Sequence, residues 1–222
     1  MTLSEADHDR VSEAIRAAEA GSDGEIVAIT AVCSDDYHDV GLHYAVLVLF
    51  LVLAFFAAFP DQLEGWWTRL MGWSDAPSLR QYLTLLLGIA LLKFLVALYV
   101  LKWKPLRLAL TPGATKSRRV RRRAVMLFKT GAERRTIGRT GVLIYLSLGE
   151  RRAEIVGVEA ITAVTTPETW GEAMTALIGD VKQGRPADGI VEAIGLIGAV
   201  LKAHFPKSAE DTNEIPDKLI EL

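Results

Sequence analysis

Two hydrophobic stretches, set close together in the first half of the chain, constrain its fold more than any other feature. Gly41–Phe59 contains no Asp, Glu, Lys or Arg, and Gln81–Leu101 contains a single charge, Lys93. A helix rises 1.5 Å per residue and a bilayer core is roughly 30 Å thick, so each stretch has about the length of one crossing. The spacing predicts a helical membrane hairpin that carries soluble segments. Some forty mostly polar residues precede the first stretch, with no short basic region or small-residue cleavage site, so it does not read as a signal peptide. The lone Cys33 has no second thiol to pair with inside the chain, which fits a reducing compartment.

The net charge of −2 conceals a strong asymmetry. Residues 1–40 carry 2 basic and 10 acidic side chains, a net of 2 − 10 = −8. Residues 102–140 carry 13 − 1 = +12, and residues 141–222 carry 7 − 13 = −6. The loop Pro60–Arg80 holds only Arg69 and Arg80 against Asp61, Glu64 and Asp75. Positive charge marks the cytoplasmic side, and two crossings return the chain to its starting side. Both termini are therefore expected in the cytoplasm, with the protein crossing the membrane twice. Trp66, Trp67 and Trp73 at one end and Trp103 at the other suit interfacial belts.

Outside the stretches, Ser4-Glu5-Ala6-Asp7 reads as a capping box opening a helix with Val11, Ala14, Ile15 and Ala18 at helical spacing. Glu25–Val32 reads as a strand. A solitary strand would leave its backbone groups unpaired, so its partner must lie beyond the hairpin. Gly141–Leu148, apolar throughout, is the expected partner, and a tight turn at Gly149–Arg151 leads into a third strand over Arg152–Val158. Lys116–Arg135 reads as a helix, and Pro167–Gln183 and Pro186–His204 each open on a proline at a helix start. The expected architecture is one α/β sandwich split by an inserted hairpin. Residues 1–40 give its first helix and strand, 41–102 the hairpin (spans about 41–59 and 81–101), and 103–222 the remainder with a C-terminal tail.

At this level the chain resembles a known family. Arg139–Val156, then Glu159-Ala160-Ile161, is similar to the centre of the TPM domain, named for thylakoid-lumen and related membrane-associated proteins. Ser34–Tyr37, His204-Phe205-Pro206 and Asn213–Asp217 resemble its bacterial membrane-inserted branch. The resemblance implies an α/β/α sandwich in which the hairpin is an expected insertion. It also implies a range of activities: weak acid phosphatases, divalent-cation binders, photosystem-repair factors and receptor accessory proteins. Members commonly carry an Asp just after the third strand; here that position is Val158, with Glu159 beside it.

Candidate chemistry is sparse. Asp35, Asp36 and Glu159, with Asp39 and Glu150 as possible neighbours, would supply oxygen ligands for Ca²⁺ or Mg²⁺. The plainer alternative makes Asp35, Asp36 and Asp39 a solvated loop paired with arginines. His8, His38, His43 and His204 lack zinc-ligand spacing, and there is neither a phosphate-binding Gly loop nor a nucleophile elbow. Arg118, Arg119, Arg121, Arg122 and Arg123 follow a membrane stretch so closely that contact with anionic lipid, or docking on acids, fits better than nucleic acid. Lys93 within the second stretch is either a contact to a partner helix or a side chain reaching for the interface. The function expected from these features is accessory: a membrane-anchored domain, without a cofactor, that assists assembly or regulation of an unidentified membrane protein or self-associates. The alternative is a divalent-cation-dependent, phosphatase-like hydrolase.

Overall fold

Ser4 begins the first helix as its sequence dictates. Its hydroxyl accepts the Asp7 N–H at 3.2 Å while the Asp7 carboxylate accepts the Ser4 N–H at 3.0 Å, which satisfies two otherwise orphaned donors. Elements in chain order are α1 (Glu5–Glu19), β1 (Glu25–Ala31), α2 (His38–Ala58), α3 (Pro60–Met71), α4 (Leu79–Val100), α5 (Lys104–Leu110) and α6 (Gly113–Leu127). A π-turn at Phe128–Ala132 follows, then β2 (Gly141–Ser147), β3 (Arg152–Gly157), α7 (Glu159–Val164), α8 (Pro167–Lys182), α9 (Pro186–His204) and β4 (Ile220–Glu221). This is a computed structural model; it describes residues 3–72, 77–132, 140–165, 167–208 and 217–222. Trp73, Asp75, Arg139 and residues 213–216 of the tail motif lie outside the described residues. The chain divides into two compact units, Met1–Asp35 with Pro112–Leu222, and Asp36–Thr111.

In the first unit a mixed four-stranded sheet has the order β3-β2-β1-β4. β1 runs parallel to β2 with Ile26 opposite Val142 and Ile29 opposite Tyr145. The strand before the inserted unit therefore does find its partner after it. β3 returns antiparallel to β2, and β4 adds a short parallel edge at Ile29 and Thr30. Alternate side chains of β1 and β2 enter two separate cores. Ile26, Ala28, Val142, Ile144 and Leu146 pack with Val11 and Ile15 of α1, Leu177 of α8 and Ile194 of α9. Val27, Ile29, Leu143 and Tyr145 pack with Val120 and Ala124 of α6 and with Phe128. Helices thus cover both faces, which is why β1 and β2 are apolar almost without alternation. α1 and α9 meet closely: a Cβ at Gly198 would stand 2.6 Å from the Ala18 Cβ.

The second unit is helical. α2 and α4, of 21 and 22 residues, are each long and apolar enough to cross a membrane. They pack on one another, with Ala45, Phe56 and Ala90 buried, while Phe50, Leu51, Leu87 and Leu92 are exposed. The stretch expected to be a loop between them instead contains α3, opened by Pro60, whose Trp67 meets Tyr82 of α4 edge-on at 6.4 Å. Pro at the first helical position has no donor to waste there, and its fixed φ suits the turn. α5, α7 and β4 are also additions to what the sequence pattern indicated. The basic helix starts at Gly113 rather than Lys116 and is α-helical only to Leu127.

Candidate functional site

The carboxyl ends of parallel strands are where open α/β sheets gather ligands, and the end shared by β1 and β2 carries a polar cluster. Beyond Ala31 the pairing continues: Leu148 and Gly149 donate their N–H groups to the carbonyls of Ala31 and Val32, each at 2.9 Å. This register brings the β2–β3 turn beside the segment leaving β1. The Ser34 N–H is shared by both carboxylate oxygens of buried Glu150, at 2.9 and 3.1 Å. The Ser34 hydroxyl lies 3.0 Å from the hydroxyl of fully buried Tyr145. Burial pushes the Tyr145 hydroxyl pKa up, against the hydrogen bond from Ser34. The turn closes with Arg151 at φ 50°, a left-handed conformation that a non-glycine residue adopts at some cost. Asp35 completes the cluster through an ion pair with Arg119 of α6 at 2.9 Å.

Two of the expected cation ligands, Asp35 and Glu159, lie at different ends of the sheet. Glu159 opens α7 and is exposed. It follows Gly157, which pairs with Val142 at the opposite end of the sheet from Asp35 and Glu150. Five strand residues at about 3.3 Å each separate the two ends, roughly 16 Å. Asp36 belongs to the second unit, where Lys104 of α5 meets it at 2.7 Å and holds its carboxyl below the ordinary carboxylate range. Within the α/β unit Asp35 and Glu159 therefore stand apart, and Asp35 and Asp36 are each paired with a base. Among the described residues no three His, Cys, Asp or Glu side chains are placed to share a metal ion. Val158, where the resembled family would place a carboxylate, precedes α7 and packs partly against both cores.

The arginine run does not present a single face. Val120, Ala124 and Phe128 form the buried stripe of this helix and its π-turn, so the basic side chains diverge around it. Arg119 reaches Asp35, Arg121 stands near half-buried Glu154, and Arg123 acts on the Tyr145 hydroxyl. Arg118 and Arg122 are exposed. Arg152 of β3 donates to the Ser117 hydroxyl at 2.5 Å. Sequence reasoning named Glu150 only as a possible cation-ligand neighbour; its role as acceptor for the Ser34 N–H could not be read from an acid inside a predicted hairpin turn.

A second polar group belongs to the helical unit. Arg107 of α5 is buried and donates from Nη1 to His38 Nδ1 at 2.7 Å, and the Tyr44 hydroxyl donates to the Leu110 carbonyl at 3.0 Å. These contacts tie α5 to the start of α2. Lys93 lies on the exposed side of α4, seven residues before Val100, about 10 Å along the helix.

No family model and no curated protein matches the sequence. Among solved structures, the chain is similar in fold to the NMR structure of BA42 protein from the psychrophilic bacterium Bizionia argentinensis. The TM-score is 0.56 and the identity 17%, over 100% of this chain and 96% of that one.

Proposed function

We propose that this chain is a TPM-like domain anchored in a bacterial cytoplasmic membrane by the α2–α4 hairpin, with both termini cytoplasmic, and that it assists assembly or regulation of a membrane partner. The observation that carries the proposal is the division into an α/β unit and a separate helical unit whose apolar side chains point outward. Monomeric soluble proteins rarely expose contiguous apolar surface of that kind. The accessory role draws support from the strand-end cluster, where Asp35 is taken by Arg119 and Glu150 by the Ser34 N–H. Groups engaged in this way hold a loop in place and offer little to a substrate.

A phosphatase-like hydrolase is the second reading. It is favoured by the location of Ser34, Asp35 and Glu150 beyond the carboxyl ends of β1 and β2. One experiment separates the two. Purified full-length protein is assayed for Mg²⁺- and Ca²⁺-dependent phosphatase activity, beside crosslinking of the same protein in its native membranes. The accessory reading expects one reproducible crosslinked partner and no cation-dependent turnover. Turnover abolished by Asp35→Asn, with no partner crosslinked, overturns it in favour of the hydrolase.

A further inference from the structure

Between α2, α3 and α4 lies an open groove of about 410 Å³, lined by Val52, Phe55, Gln62, Trp66, Ile89 and Lys93. We propose that this groove seats an acyl chain of an anionic phospholipid whose phosphate is held by Lys93. The inference rests on the membrane-anchor reading given above. Its starting point is a cation in an apolar setting: Lys93 is exposed and has no ion pair among the described residues. A central lysine is costly in hydrocarbon unless something neutralises it or its head escapes.

The identity of the occupant follows from charge and size. The apolar stretches of a second copy bring no acid to the groove, because Gly41–Phe59 is uncharged and α4 carries only Arg80 and Lys93, and the acids of α3, Asp61 and Glu64, are not among the residues that line it. Two copies meeting here would oppose lysine to lysine. A partner helix is about 10 Å wide and needs roughly 30 Å of contact length to span a bilayer. The α2 residues lining the groove run only from Val48 to Phe56, eight steps or about 12 Å, with α3 contributing Gln62 and Trp66. That length admits a flexible chain and not a spanning helix. Direction is settled as well. The α2 start and the α4 end lie together, since a Cβ at Gly41 would stand 3.6 Å from the Leu101 Cβ, so Lys93 marks the side of the groove toward that end of the hairpin. Its long stem carries the ammonium outward to headgroup level while its methylenes stay with the acyl chain.

The test uses the full chain reconstituted in phosphatidylcholine vesicles containing a minor fraction of phosphatidylglycerol. A photoactivatable acyl chain is placed on one lipid or the other, and crosslinked peptides are mapped. Phosphatidylglycerol is expected to label the Val48–Phe56 and Gln62–Trp66 segments about fivefold more than phosphatidylcholine, the ratio that corresponds to one lysine–headgroup contact of ~1 kcal/mol. Lys93→Leu should abolish the preference and Lys93→Arg should keep it. Equal labelling by both lipids, or a preference that survives Lys93→Leu, overturns the proposal. So does zero-length carbodiimide crosslinking of Lys93 to a protein carboxylate in native membranes, which would make the occupant a partner helix. Failure of the protein to float with the vesicles would instead remove the membrane reading itself, and it is scored before any lipid is activated.

Discussion

Replacing Ile29 with Asp tests whether the two halves of the α/β unit form one cooperative structure. Ile29 is 8% exposed, lies in the central strand between Tyr145 of β2 and Ile220 of β4, and packs in the core made with α6. Removing its side chain forfeits about 1.5–3 kcal/mol of apolar burial. The new carboxyl is either desolvated while charged or protonated and left without a partner, and the second, milder outcome adds about 1–3 kcal/mol. Together the loss is about 2.5–6 kcal/mol, against a total stability of ordinary domains of about 5–15 kcal/mol. Ile29→Val, by comparison, should cost about 0.5–1.5 kcal/mol. The assay is limited proteolysis of the purified full chain, following fragments from residues 112–222 and the emission of Trp170. Those residues are separated from Ile29 in sequence by the whole helical unit, so only packing and pairing within one shared α/β unit can transmit the damage. Unchanged protease resistance of 112–222 in Ile29→Asp, alongside Ile29→Val, would refute the split-sheet account.

Three further outcomes follow from particular contacts. Burial pushes the Glu19 carboxyl up to about 8, with Glu25 and Asp217 adding to the effect and the Ile26 N–H opposing it. The unfolded chain releases this proton in the ordinary glutamate range while the folded protein retains it, so stability should fall as pH rises toward about 8 and level off above; Glu19→Gln should flatten that slope in thermal melts. Glu150→Ala leaves the Ser34 N–H without its acceptor and should cost about 1–3 kcal/mol, read as a lowered midpoint in denaturant. Gly65→Cys in a Cys33→Ser background should react with an impermeant maleimide only from outside intact cells, because a Cβ at Gly65 meets nothing within 4 Å; labelling only from the cytoplasmic side would reverse the proposed orientation.

What could be read from the chain alone was whatever depends on periodicity and on backbone satisfaction. The α1 capping box, the need of β1 for a distant partner and the two-sided burial of β2 are local patterns with one physical solution each. β4 was not legible because two residues carry no period; Ile220 and Glu221 are held by position, with the Leu222 N–H donating to the Thr30 carbonyl at 2.9 Å. α3 was hidden because charge counting assigned Pro60–Arg80 to a loop, although a loop and an amphipathic helix can share a composition. For the candidate site, spacing could not say at which end of the sheet an acid falls. Glu150 and Glu159 are nine positions apart, and the single pass of β3 carries the chain from one end of the sheet to the other between them. The arginine run shows the same limit, since a helical turn distributes neighbours in sequence to different faces and composition does not say which arginine meets an acid.

The placement of β1 and β2 on either side of the inserted unit has a consequence for how the chain is made. Between Ala31 and Gly141 the ribosome must add 141 − 31 = 110 residues, roughly 5–20 s of synthesis. Throughout that interval β1 has no neighbour for its ladder, and the long loop it closes makes this pairing intrinsically slow. With the hairpin in a bilayer, β2 returns to the compartment that holds β1 only after an even number of crossings. A chain whose second stretch failed to insert would leave the strands on opposite sides and the sheet unformed, exposed to proteases as two fragments. Completion of the sheet would then serve as a quality check on membrane insertion, made by the fold itself without any dedicated factor.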